Sequence, residues 1–179
     1  DLINQAGVDV SKIVMWDDLL DAVKQIKSAG ITPICLGGKD KWPVHFIWTH
    51  LHIRNGGQDL FLESMNNGGW GRPEYIKSGE QMLDLVNLDP FQDGYLAATW
   101  PDQAGMFGDG KCAMALMGNW MYGAQASNSA SGEGLGDDNM GMFNMPATKG
   151  GLGDVGDTLG GINGWLFSSS APDEAVDLI

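Results

Sequence analysis

The sequence predicts an α/β fold in which a small sheet carries helices on both faces. Three observations lead there. Short apolar runs bounded by Gly or Pro, such as residues 31–36 and the run ending at Met117, alternate with amphipathic stretches. The chain has 179 residues, enough to bury a core without metal or disulfide staples. Its hydrophobic fraction of 43% includes no apolar run near the ~18–20 residues that cross a bilayer.

Residues 17–29 read as the clearest helix. Leu19, Leu20, Val23 and Ile26 recur at helical spacing, and Asp17 and Asp18 suit the positive N-terminal end. Gly30 stands where a left-handed C-cap belongs, and Pro33 follows. Residues 31–36 form a short buried strand, stopped by Gly37-Gly38. A charged loop, Lys39-Asp40-Lys41, leads into a helix opened by Trp42-Pro43 and ending at Asn55-Gly56-Gly57. Further helices are expected over 59–65, 73–88 and 101–107. Asp109-Gly110 turns the chain into a second strand ending at Met117, and Gly118-Asn119-Trp120 starts a helix to about residue 125. Residues 127–138 are a polar loop. Residues 140–145 are a strand that Pro146 ends, 149–161 a Gly-rich loop and 162–168 a third strand. Pro172 opens a last helix.

Composition excludes several functions. Acidic residues number 23 and basic residues 10, for a net charge of −13. Phosphate backbones and anionic lipids attract positive surfaces, so nucleic-acid binding and membrane insertion are not expected. Cys35 and Cys112 both lie in apolar runs and read as two buried thiols, although one disulfide is possible. No signal peptide is evident, and both ends read as the middle of a longer sequence.

Catalytic and cofactor motifs are weak. Gly151-Leu152-Gly153-Asp154-Val155-Gly156 spells the dinucleotide pattern, but no strand leads into it and no helix follows. His45, His50 and His52 share one helix without metal-ligand spacing. Scattered acids always permit a glycosidase pair, yet most stand at helix starts or turns, where capping explains them. Neither enzyme activity nor a cofactor is expected.

Seven tryptophans, several at element ends beside glycine, are more informative. An indole face packs on the C–H face of a sugar ring, while Asp, Asn and His meet its hydroxyls. Trp42, Trp120 and Trp165 are the binding candidates, expected along one rim. Trp16 and Trp48 lie within helical patterns and read as core.

Asn4-Gln5-Ala6-Gly7-Val8-Asp9, Trp16-Asp17-Asp18-Leu19-Leu20 and Gly37-Gly38-Lys39-Asp40-Lys41-Trp42-Pro43 are followed by Phe107-Gly108-Asp109-Gly110-Lys111. Then come Met117-Gly118-Asn119-Trp120 and Gly160-Gly161-Ile162-Asn163-Gly164-Trp165. In this order they resemble family 1 of the extracellular solute-binding proteins of ABC transporters, the maltose-binding-protein-like sugar receptors. The resemblance implies one lobe of a type II periplasmic-binding-protein-like fold. Residues 1–158 would belong to its C-terminal lobe. Residues 159–179 would form a hinge crossing and the start of the return to the N-terminal lobe. Asp40, Trp42, His45, Asn119, Trp120, Gly161 and Trp165 are the implied ligand-facing residues. An oligosaccharide or monosaccharide is the implied ligand, a transporter permease the partner, and the periplasm or an extracellular lipoprotein the location. A homodimer formed by segment swapping, or a self-associating module that has lost its ligand, is the alternative.

Overall fold

A computed structural model describes residues 2–161, 164 and 166–178. A short helix α1 (Leu2–Gln5) leads to α2 (Trp16–Ser28), whose Trp16, Leu19, Val23 and Ile26 are buried. Met15, just before α2, has no side chain suited to capping. Asp18 accepts its N–H at 2.7 Å, and the Trp16 N–H donates to the Ala147 carbonyl at 2.7 Å. Gly30 takes φ 76°, as a helix-ending glycine should.

Strand β1 (Thr32–Ile34) pairs in parallel with β2 (Cys112–Met114), placing Thr32 opposite Cys112 and Ile34 opposite Met114. Between them in the chain lie α3 (Trp42–Asn67), α4 (Pro73–Asn87) and α5 (Trp100–Gly108). Helix α6 (Met121–Asn128) follows β2. Helix α3 packs on α4 and α5 on α6. The core joins the apolar face of α2 to Ile34, Leu36, Ile47, Leu51, Leu85, Phe91 and Met114.

The expected break at Asn55-Gly56-Gly57 is present as a kink within α3, where Gly57 takes φ 78° and ψ 166°. Beside that kink, Gly151 and Gly153 lie directly on the carbonyls of Arg54 and Ile53, closer than any Cβ would permit. The dinucleotide-like pattern is therefore a loop fitted to a helix end. Arg54 fastens the same loop. It is 1% exposed, and its guanidinium donates to the carbonyls of Met145 (3.1 and 3.0 Å), Val155 (3.0 Å) and Asp157 (2.8 Å).

Several sequence expectations are corrected. Cys35 and Cys112 are buried as expected, but they are joined in a disulfide with a Cα–Cα separation of 5.5 Å. Parallel pairing brings the end of β1 beside β2, which spacing along the chain does not reveal. Residues 140–145 form no strand; their neighbour Ala147 makes only an isolated bridge with Met15. Of the expected third strand, Ile162, Asn163 and Trp165 lie outside the described residues, and 166–168 are irregular. Leu166 is 98% exposed. Residues Asp173–Leu178 form a 3-10 helix in place of an α-helix. Trp16 is core, but Trp48 is 40% exposed. It stacks with Trp70 at 6.4 Å on the face of α3 turned toward α4. Among the described residues no helix is long and apolar enough to cross a membrane.

Candidate functional site

Three helices begin at the carboxyl edge of the two-stranded sheet, and each brings a tryptophan there. Trp42 is the first residue of α3, and Trp100 is the first of α5. Trp120 is the residue before α6, which starts at Met121, three positions later than expected. The Trp42 ring lies 5.7 Å from Trp100, 6.4 Å from Trp120 and 5.5 Å from Phe46, one turn into α3. Phe46 lies 6.2 Å from Trp120. The planes are inclined by 54° to 71°, so the rings form a tilted cluster instead of one flat plate.

Trp120 is the most open of the four at 44% exposure; the other three are half-buried. Gly118 sets its attitude. The indole folds back over this glycine so closely that a Cβ would overlap the six-membered ring. The six-membered ring of Trp120 is thus backed by the chain at Gly118, and the residue stays partly open to solvent.

The polar candidates are arranged around these rings. Asp40 ends a 3-10 turn (Gly38–Asp40), and its Oδ2 accepts the Trp100 N–H at 2.7 Å. His45 is exposed, with its ring 4.8 Å from Phe46, and its Nδ1–H donates to the Trp42 carbonyl. Asn119 is exposed beside Trp120. Between Asp40 and Trp42, Lys41 takes φ 65° and ψ −41°, a conformation that costs a non-glycine residue about 1–3 kcal/mol. Such strain persists only where the surroundings enforce it, and here it turns the chain so that Trp42 opens the helix.

The structure therefore brings together Asp40, Trp42, His45, Asn119 and Trp120. Gly161 is exposed with open space around it, and Trp165 lies outside the described residues. Sequence reasoning missed Trp100. Its signal was present, since Trp100-Pro101 repeats Trp42-Pro43 and each pair opens a helix.

Two shallow depressions lie elsewhere on the surface of the described residues. One involves Pro101, Asp102, Met106 and Asn128; the other involves Gly57, Gln58, Glu63 and Leu152. Neither presents an aromatic face. Among the described residues no three His, Cys, Asp or Glu side chains gather as metal ligands. His50 and His52 are buried in α3, and burial lowers both below the usual imidazole range, opposed by their hydrogen bonds to the Phe46 and Trp48 carbonyls.

The family of bacterial extracellular solute-binding proteins matches the chain over residues 1–179. The chain belongs to that family. An uncharacterized ABC transporter extracellular-binding protein of Pyrococcus horikoshii is 28% identical over 123 residues, 68% of this chain and 27% of that protein. Among solved structures, one described with xylan utilization by the thermophilic bacterium Caldanaerobius polysaccharolyticus superposes with a TM-score of 0.79. It is 28% identical, and the match covers 86% of this chain and 38% of that one. A chitin oligosaccharide binding protein shares the fold at a TM-score of 0.73 and 24% identity, over 83% of this chain and 36% of its own. A solute-binding protein in complex with raffinose does so at 0.60 and 21%, over 81% and 37%. The chain thus spans less than two fifths of the length of these relatives, and the shared fold is the helix-rich lobe with its small parallel sheet.

Proposed function

We propose that this solute-binding chain holds half of a carbohydrate site, on the C-terminal lobe of a receptor that delivers sugar to an ABC transporter permease outside the cytoplasm. The observation that carries this reading is the convergence of Trp42, Phe46, Trp100 and Trp120 from three chain segments, with Trp120 44% exposed and propped on Gly118. The relatives named with xylan, chitin oligosaccharide and raffinose support the ligand class.

In this reading one pyranose unit lies on the open face of Trp120. The inclination of 56° between Trp42 and Trp120 favours a ring seated in a corner over a straight chain spread across a flat wall. Asn119 and His45 meet hydroxyls at the rim. Residues 1–158 form the lobe, and 159–179 begin the crossing to a second lobe, where Gly161 and Trp165 would approach the ligand. Capture and release involve no covalent step.

The test is a titration of intrinsic tryptophan fluorescence with xylo-, chito- and galacto-oligosaccharides, repeated on Trp120→Ala. Covering roughly 80 Å² of indole at ~25 cal/mol/Å² is worth about 2 kcal/mol, or about 30-fold in Kd. A saturable change that Trp120→Ala weakens by that order supports the reading. No saturable change across the panel, or an unchanged affinity in the variant, overturns it.

A further inference from the structure

We propose that Asp40 is a positioning residue, which fastens Trp100 against Trp42 and so sets the angle of the aromatic corner. The amide hydrogens at the start of α5 show what Asp40 holds. The first N–H groups of a helix have no partner within it and must find one elsewhere. Pro101 has no N–H. The Asp102 N–H donates to Thr99 Oγ1 at 3.3 Å, and the Gln103 N–H donates to the Thr99 carbonyl at 3.0 Å. The Thr99 N–H returns to Asp102 Oδ2 at 2.8 Å, completing a reciprocal cap. Trp100 is the one donor this cap leaves out. Its acceptor is Asp40 Oδ2 at 2.7 Å, from 60 positions earlier in the chain.

Asp40 can act as a tether because its own segment is anchored. The Gly38 N–H donates to the Tyr95 carbonyl at 2.8 Å, and the Lys39 N–H donates to the Ala98 carbonyl at 3.0 Å. These bonds lay residues 38–40 along 95–100. The strained Lys41 then delivers Trp42, whose ring stands 5.7 Å from Trp100 at 54°. Of the two Trp-Pro helix starts, Asp40 stands two positions before one and accepts from the other. A carboxylate with an oxygen committed to a backbone amide is poorly placed to serve as the main hydroxyl acceptor of a ligand. Its consequence for the ligand is the geometry of the rings.

Two substitutions separate shape from charge. Asp40→Asn keeps the length and an acceptor oxygen but removes the charge. Asp40→Glu keeps the charge but displaces the acceptor by one methylene. The readout is the exciton couplet that neighbouring indoles give in the circular dichroism of the ligand-free protein, with Trp100→Phe defining the part that depends on Trp100. The expected result is that Asp40→Asn retains that part and Asp40→Glu diminishes it toward the Trp100→Phe level. An Asp40→Glu couplet equal to wild type, or one lost in Asp40→Asn and kept in Asp40→Glu, overturns the proposal. Because no ligand is present, this outcome is independent of the sugar-binding reading. Only the further consequence rests on that reading: sugar affinity should fall by roughly tenfold in Asp40→Glu, the order of one misplaced hydrogen bond, and by clearly less in Asp40→Asn, which keeps the bond.

Discussion

Arg54→Met removes a buried clamp while nearly conserving side-chain length, and its cost can be worked from the structure. The guanidinium makes four hydrogen bonds to the carbonyls of Met145, Val155 and Asp157. Burial lowers the Arg54 pKa, while the nearby Asp157 and Asp154 charges oppose that effect. Methionine restores none of the donors. Three carbonyls left without their partner, at about 1–1.5 kcal/mol each, sum to roughly 3–5 kcal/mol. Relief from burying a charge offsets part of this, so about 3 kcal/mol is expected. Urea unfolding reads the global loss as a lower midpoint at unchanged slope. Amide hydrogen exchange reads the local loss at Leu152 and Gly153, whose N–H groups donate to the Asn55 and Arg54 carbonyls at 3.2 and 3.1 Å. A variant within about 1 kcal/mol of wild type, with unchanged protection at these two amides, would refute the clamp. The close backbone approach of Gly151 and Gly153 would then be what holds the loop.

Three other predictions follow from the packing. The Cys35–Cys112 disulfide spans 77 positions, and loop-closure entropy for that length gives about 4.5 kcal/mol. Fully reduced protein should show a urea midpoint lower by that order, and two titratable thiols in unreduced, unfolded protein would contradict the bond. His50 and His52 have folded pKa values pushed below the unfolded value of about 6.5, so the unfolded chain takes up protons first as pH falls. Stability should therefore decline below about pH 6.5, by up to about 1.4 kcal/mol per pH unit for each histidine, with a shallower slope in His52→Phe. A flat profile would count against neutral buried imidazoles. Gly118→Ala places a methyl where the Trp120 ring rests, so sugar affinity should drop while the unfolding midpoint stays close to wild type. Unaltered binding in that variant would show that the ring's attitude is immaterial.

Helix α2 could be read from the sequence because every cue to it is local: its apolar spacing, the acids of its first turn and Gly30. The break at Gly57 was likewise legible, since two adjacent glycines interrupt a helical pattern whatever surrounds them. The failures share a different cause. Trp48 has the spacing of a core residue, but its exposure depends on which neighbours cover that face of α3, and Trp70 covers it only in part. Arg54 carries no local sign of burial, and it is buried because a loop about 100 positions later wraps it. Residues 140–145 have strand-like composition but pair with no strand among the described residues. Pairings across long separations, such as Cys35 with Cys112 and Asp40 with Trp100, leave no local trace.

The aromatic cluster was only half visible for the same reason, yet the topology explains why it forms. Parallel strands place their carboxyl ends at one edge, and β1 and β2 are parallel. Helices that follow them, α3 and α6, begin at that edge. A helix that precedes a strand runs back from the same edge, so α5 begins there as well. Side chains in a helix lean toward its N-terminus. A large ring at the first position of a helix therefore projects beyond the helix end instead of into its flank. Trp42 and Trp100 occupy such positions and Trp120 stands one residue before α6, so sheet direction brings three distant indoles to one edge. Asp40 and Gly118 then fix the angles between them, which makes ring geometry, more than the number of tryptophans, the property that substitutions at this edge should alter first.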